Sequence, residues 1–259
     1  MNGLKVIGVW AFILFTIQGT AAAGGPFGPP RPLSKEEGGL ATAIGHWRYQ
    51  DEYTNGKGQV IRQNQIYSQL GYGKKNWEIF GRIGIADLKI SDAFRSTLVS
   101  TVTSKNDFED NWNGFGTMGA KGFYPFNDLF GIGAFFQGAT SFRDFTDHVS
   151  GTSNGAPLQR ELKVSRFWEV NFGLGFQVAI PHGLKLYAGP YACYSEATVS
   201  LSQTVPGLTS DTGNFRIHNR TNIGGFGGIY LPLGRGFHWN IEGQYSEKFS
   251  FGTAVTYSY

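Results

Sequence analysis

Residues 249–259 read F-S-F-G-T-A-V-T-Y-S-Y. Phe249, Phe251, Thr253, Val255, Tyr257 and Tyr259 share one parity; Ser250, Gly252, Ala254, Thr256 and Ser258 share the other. Successive side chains of a strand point to opposite faces, so this tract has one large, aromatic face and one small, weakly polar face. In a soluble sheet the large face would meet a core. What it meets here depends on whether the pattern recurs and on where the chain is sent.

The pattern recurs. Upstream, Phe237, Trp239, Ile241 and Tyr245 oppose His238, Asn240, Glu242 and Gln244, between turns at Gly234-Arg235-Gly236 and Ser246-Glu247-Lys248. An eighth tract, about 215–231, sets Ile217, Ile223 and Ile229 against Arg216, His218 and Arg220; the seventh runs over 184–199 with ambiguous parity. The sixth, 162–180, is the most regular. Only Arg166 breaks its apolar parity, as a long side chain that can snorkel to an interface. Earlier tracts fall at about 130–143, 113–124, 77–86, 60–72 and 41–53. In the first of them along the chain, Ala41, Ala43, Gly45, Trp47, Tyr49 and Tyr53 form the expected apolar face, opposite Thr42, His46, Arg48, Gln50 and Glu52.

The connections alternate in length. Those after tracts two, four, six and eight are tight turns, whereas 87–111, 144–161 and 200–214 are long and polar, and those after tracts one and nine are short. Short turns at one end and long loops at the other, on tracts long enough for a tilted crossing, mark an outer-membrane barrel. The faces opposite the aromatics hold Arg, Lys, Glu, His and Gln in numbers that the dry interior of a soluble sandwich or lipocalin-like barrel could not accept. The predicted fold is all-β: a transmembrane antiparallel β-barrel of ten strands, with eight to twelve compatible with the tracts, tight periplasmic turns and longer extracellular loops.

Composition agrees. The 259 residues include 38 Gly and 15% aromatics but only 16% charged side chains. Past the N-terminus no apolar run approaches the roughly 18 residues of a spanning helix. A net charge of +3 gives no reason to expect nucleic acid, and Cys193, the single cysteine, excludes an internal disulfide. Residues 1–23 have the form of a secretory signal: Lys5, an apolar stretch over 6–17, then Ala21-Ala22-Ala23 as cleavage site. Residues 24–39, G-G-P-F-G-P-P-R-P-L-S-K-E-E-G-G, read as an extended, disordered periplasmic leader, because Pro26, Pro29, Pro30 and Pro32 preclude a helix and a central strand. The barrel occupies 40–259.

The export signal, the Gly/aromatic tracts, the G-R-I-G-I-A segment at 81–86 and the aromatic last strand resemble the bacterial outer-membrane β-barrel surface proteins, the group around opacity-like antigens and the OmpA-type barrel. The resemblance implies outer-membrane localisation among lipid and lipopolysaccharide. It also implies handling by the barrel assembly machinery, with Tyr257 and Tyr259 as the terminal aromatic signal, and extracellular partners for the long loops. It specifies no activity.

Chemistry is sparse. Arg48, Glu52, Glu78, Arg82, Lys121, Arg143, Glu169, Arg220 and Glu242 (with Arg62 and Lys163) fall on lumen parities. They read either as a mutually paired network that fills the interior or as the lining of a narrow diffusion channel. His148-Val149-Ser150 with Glu161 has the outline of the His-x-Ser plus Glu of lipid A deacylases, but falls in a predicted mobile loop without support. Asp107, Glu109 and Asp110 read as a solvated acidic loop. No cofactor motif is present, and the expected function is that of a non-enzymatic barrel with a structural or surface-interaction role.

Overall fold

The computed structural model describes residues 26–33, 38–54, 59–95, 101–205 and 208–259. Residues 1–25, which include the expected signal sequence, and residues 34–37 of the leader lie outside them. Thirteen strands are present among the described residues: β1 (Gly39–Thr54), β2 (Gln59–Lys74), β3 (Trp77–Ile90), β4 (Thr101–Thr103), β5 (Phe108–Pro125), β6 (Phe130–Ser141), β7 (Phe145–Ser153), β8 (Ala156–Ala179), β9 (Lys185–Val205), β10 (Leu208–Asn219), β11 (Ile223–Gly234), β12 (Phe237–Tyr245) and β13 (Phe249–Ser258). Ten form a closed antiparallel ring in the order β1-β2-β3-β5-β6-β8-β9-β11-β12-β13, and β13 returns to β1. The closing seam runs from Ala41↔Ser258 to Arg48↔Phe251, and the Tyr259 N–H extends it to the Leu40 carbonyl at 3.0 Å. Closure leaves no sheet edge for lipid to desolvate.

The exterior is an apolar belt. Leu70, Ile79, Phe136, Phe172, Phe176, Phe251 and Val255 all project outward and are exposed on the isolated chain. Only a hydrocarbon environment suits a surface of this kind.

The glycine and aromatic content has a packing explanation. Inward aromatic rings lie over inward glycines of the neighbouring strand: Trp47 over Gly252, Tyr67 over Gly45, Phe80 over Gly119 and Phe135 over Gly173. A Cβ at any of these glycines would run into the ring. Gly252, on the small face of β13, therefore makes room for Trp47.

Three expectations are corrected. First, the parity of β1 is the reverse of the one read from its aromatics. Ala41 and Ala43 pair with Ser258 and Thr256, and directly paired residues share a face. Ala41, Ala43, Trp47, Tyr49 and Tyr53 are therefore buried inside, while Leu40, Ile44 and Arg48 face out. Second, Arg166 is not a snorkelling residue on a regular face. It adopts φ +53° at a bulge between Ser165 and Trp168. The extra residue flips the strand, so that Leu162 and Val164 point inward above it, while Trp168, Phe172 and Phe176 face out below it. Third, the stretch 215–231 is two strands. β10 pairs back on β9 and touches β1 at Tyr53↔Asn219, and the chain then steps to β11. Asn219 bridges the step: its Oδ1 accepts from the Ser195 N–H at 2.9 Å and its Nδ2 donates to the Cys193 and Thr221 carbonyls at 3.1 and 2.7 Å.

Much of the long connections is likewise strand. β7 and β8 form a hairpin across Asn154-Gly155, both at positive φ (51° and 78°), as a tight two-residue hairpin turn requires. β9 and β10 form another, and β4 pairs with β7. Under these hairpins lies an apolar cluster that includes Trp47, Tyr53, Ile61, Phe94, Phe108, Phe115, Phe145 and Phe167. It fills the hairpin end of the barrel.

Candidate functional site

The lumen at the opposite, tight-turn end holds residues 26–33, P-F-G-P-P-R-P-L. This strap was expected to be a disordered tail; instead Pro26 to Pro30 are buried inside the ring. Its chemistry explains why burial is affordable. Proline has no N–H, so the strap brings in four main-chain donors, those of Phe27, Gly28, Arg31 and Leu33. Each meets a wall acceptor. Phe27 and Gly28 donate to the two oxygens of Glu242, at 2.8 and 2.7 Å; Arg31 donates to Gln177 Oε1 at 3.4 Å; Leu33 donates to Glu78 Oε2 at 2.5 Å.

The carbonyls are answered by cations and a hydroxyl. Arg82 Nη2 donates to the Pro26 oxygen at 2.6 Å, Lys121 Nζ to that of Pro29 at 3.2 Å, and Ser258 Oγ to that of Leu33 at 2.5 Å. Arg82 is aimed by Gln69 Oε1, which accepts from Nε at 2.7 Å, and by Gln137 Oε1, which accepts from Nη1 at 3.3 Å. Its guanidinium also lies over the rings of Phe80 and Tyr67, 4.8 and 5.2 Å from their centroids. Glu242 takes two further donors, the Tyr187 hydroxyl at 2.8 Å and Gln244 Nε2 at 2.9 Å. Buried charges of both signs are thus tied to the strap's main chain.

Shape matches chemistry. The Phe27 ring stacks on Phe135 at 4.1 Å and meets Tyr191 and Phe226 edge-on at 5.1 and 5.2 Å, in a box that also includes Cys193. Pro30 sits on two wall glycines: a Cβ on Gly175 would come within 2.5 Å of its Cγ, and one on Gly133 within 2.8 Å of its Cβ. Gly28 turns at φ +72° beside Lys121, a conformation that L side chains seldom adopt. A void of only about 20 Å³ remains among Phe27, Gly28, Tyr67 and Lys121.

Of the nine charges assigned to the lumen, five lie there. Glu78, Arg82, Lys121 and Glu242 hold the strap, and Glu169 sits higher, accepting from Asn171 Nδ2 at 2.5 Å. The other four do not. Arg48 and Glu52 follow the reversed parity of β1, Arg220 lies outside and pairs with Glu52 at 2.6 Å, and Arg143 is exposed in the bend after β6. Arg62 is also exposed, and Lys163 pairs with Asp144 at 2.7 Å. Tyr257 and Tyr259 lie at the tight-turn rim, their rings 4.8 Å apart.

His148 and Glu161 are cross-strand partners on the β7–β8 hairpin, with Nδ1 and Oε2 3.6 Å apart and the imidazole largely exposed. Ser150 lies exposed two residues further along β7. Asp107, Glu109 and Asp110 serve the fold: they accept from the Asp92 N–H (2.8 Å), Lys89 Nζ (2.8 Å) and the Thr146 N–H (2.8 Å) respectively.

The chain is similar to the outer-membrane protease OmpT of Escherichia coli (12% identity, TM-score 0.46, 85% of this chain and 94% of that one). It is also similar to the translocator domain of the autotransporter NalP of Neisseria meningitidis (10%, 0.45, 85% and 88%) and to the attachment invasion protein Ail of Yersinia pestis (14%, 0.30, 85% and 95%). These are all outer-membrane barrels, but at such TM-scores the fold rests on the ring and belt described above. No protein-family model and no curated protein matches the chain.

Proposed function

We propose that the chain is a non-enzymatic barrel of the bacterial outer membrane, closed by its own N-terminal strap and serving a structural and surface-interaction role. On this reading the tight turns and the strap face the periplasm, and the β7–β8 and β9–β10 hairpins are presented outside to a partner. Outer-membrane lipid and lipopolysaccharide surround the belt, and the assembly machinery reads the last strand with Tyr257 and Tyr259.

The observation that carries the reading is the double closure of the lumen. Glu242, Glu78, Arg82 and Lys121 grip the strap at one end, and the aromatic cluster around Trp47 and Phe115 fills the other. The narrow-channel reading needs a continuous wet path, and these two plugs interrupt it. A second reading, a lipid-A-active enzyme, is favoured by one contact only, that between His148 and Glu161 beside Ser150. Purified, refolded protein in planar bilayers should give no discrete conductance steps, and the same preparation should release no fatty acid from lipid A. Steps of reproducible size would replace this reading with the channel; fatty-acid release abolished by Ser150→Ala would replace it with the enzyme.

A further inference from the structure

One feature of the exterior departs from the smooth belt of a barrel that lipid merely solvates. Across β1, β2, β3, β5 and β6 the outward face is hollowed into a groove of about 790 Å³, with Gly81, Gly116 and Gly138 as its floor and Leu70, Ile83 and Phe142 at its sides. The Phe142 ring lies over Gly116, and a Cβ there would come within 2.8 Å of it. Gly81 and Gly138 are open outward: a Cβ on either would meet only a backbone oxygen, at 3.9 Å. Nothing in the fold requires glycine at these two positions.

The second observation is independent and concerns charge. At the hairpin-end margin of the belt, Arg48 and Arg62 project outward from β1 and β2, on adjacent pairs of the ladder (Arg48↔Asn64, Gln50↔Arg62). Neither has an ion-pair partner among the described residues. The nearby carboxylate of Asp87 is taken by Asn64, whose N–H and Nδ2 donate to it at 2.6 and 2.8 Å, and Lys89 is paired with Glu109 at 2.8 Å. Arg143 and Arg166, on the far side of the groove, are likewise exposed and outside any ion pair among the described residues.

The spacing links the two observations. Asn64, opposite Arg48, lies six residues along β2 from Leu70 in the groove wall. That is about 20 Å along a strand, or about 15 Å along the membrane normal at a tilt of about 40°. One hydrocarbon leaflet is about 15 Å deep, half of about 30 Å. A lipid whose phosphate met the guanidinium pair would lay an acyl chain into the groove. Arginine forks suit phosphate oxygens in a way that a single ammonium does not.

The geometry points to a specific site for an anionic, phosphate-bearing membrane lipid on the outer face of β1–β6, with its phosphate on Arg48 and Arg62 and an acyl chain along Gly81, Gly116 and Gly138. The inference rests on the membrane reading above and goes beyond it, since a solvated belt needs no site.

The test is native mass spectrometry of the folded barrel in a neutral detergent, titrated with lipid A, phosphatidylglycerol, phosphatidylcholine or inorganic phosphate. Lipid A should form a one-to-one adduct that phosphatidylcholine does not match and inorganic phosphate does not displace. The double variant Arg48→Ala/Arg62→Ala should weaken it about thirtyfold, at roughly 1 kcal/mol for each arginine near the surface and tenfold for about every 1.4 kcal/mol, and Gly138→Leu, which fills the groove without touching the arginines, should weaken it measurably as well. Heat-modifiable migration shows that each variant is folded. Equal retention by wild type and both variants, or full displacement by inorganic phosphate, overturns the site. Failure of the wild type to insert into vesicles would instead overturn the membrane reading.

Discussion

Glu242→Ala should release the strap and destabilise the barrel by about 3–5 kcal/mol, the range for stripping one partner from a buried charged network. The Glu242 carboxylate accepts from the Phe27 and Gly28 N–H groups, the Tyr187 hydroxyl and Gln244 Nε2, all between 2.7 and 2.9 Å. Alanine leaves all four without that acceptor, inside a lumen where little water can replace it. The strap N–H groups can escape to solvent by leaving, and the Tyr187 hydroxyl can turn to Asn240 Oδ1 at 2.7 Å, but buried Gln244 Nε2 loses its Glu242 acceptor. Two measurements check this. Urea unfolding in lipid vesicles should show the lost stability, and chymotrypsin, which cannot reach Phe27 in the seated strap, should cut after it in the variant. Glu242→Gln keeps one acceptor oxygen and should fall between the two. Unchanged stability with a protected Phe27 would mean that the carboxylate does not hold the strap.

The second large effect concerns the outside. Leu174 faces outward from the middle of the β8 belt, 41% exposed on the isolated chain. Leu174→Arg should cost about 2–4 kcal/mol in a bilayer, the depth-dependent penalty of a cation near the midplane of a barrel. Val102 is more exposed still, at 65%, but it belongs to β4 beyond the belt. Val102→Arg should stay within about 0.5 kcal/mol, as surface substitutions do. If the two changes cost the same, the apolar exterior is not lipid-facing. A comparison of this kind separates membrane burial from simple loss of an apolar side chain.

The alternation was legible wherever one face was uniformly small or uniformly polar. β12 and β13 are as the sequence implies, because Glu242 and Gln244 cannot sit in lipid and Phe249 and Phe251 suit it. The parity of β1 reads the wrong way round for the converse reason. Its inward residues are aromatic because they cap the lumen, and an aromatic that packs over a glycine inside looks, in sequence, like one that faces lipid. Only the register with β13 decides between the two, and register is a long-range property. The parity switch at Arg166 was visible as a discord, but a left-handed residue at a bulge and a snorkelling side chain leave the same mark in one sequence.

The strap is not legible in the sequence for a more general reason. Proline and glycine are signs of disorder in a chain with no receptor. A proline-rich segment is also poor in N–H groups, so it is cheap to bury where a few carboxylates and amides are waiting. Phe27 set among prolines and glycines, and a lumen with Glu78 and Glu242 set against Arg82 and Lys121, were the available signals. Neither indicates a plug until both are placed in the same cavity.

The central claim is that the strap sits inside the ring, with Pro30 on Gly175. An ideal Cβ on Gly175 lies 3.5 Å from Pro30 Cβ, at the short end of the range of about 3.5–4.5 Å that a disulfide spans. Cys193, the one native cysteine, can be removed as Cys193→Ser. In that background, folded Pro30→Cys/Gly175→Cys should oxidise to a single intramolecular disulfide, read as a mass lower by two hydrogens and by thiols that resist alkylation until reduced. Two freely alkylated thiols in the folded barrel, with no crosslink under oxidising conditions, would contradict the account.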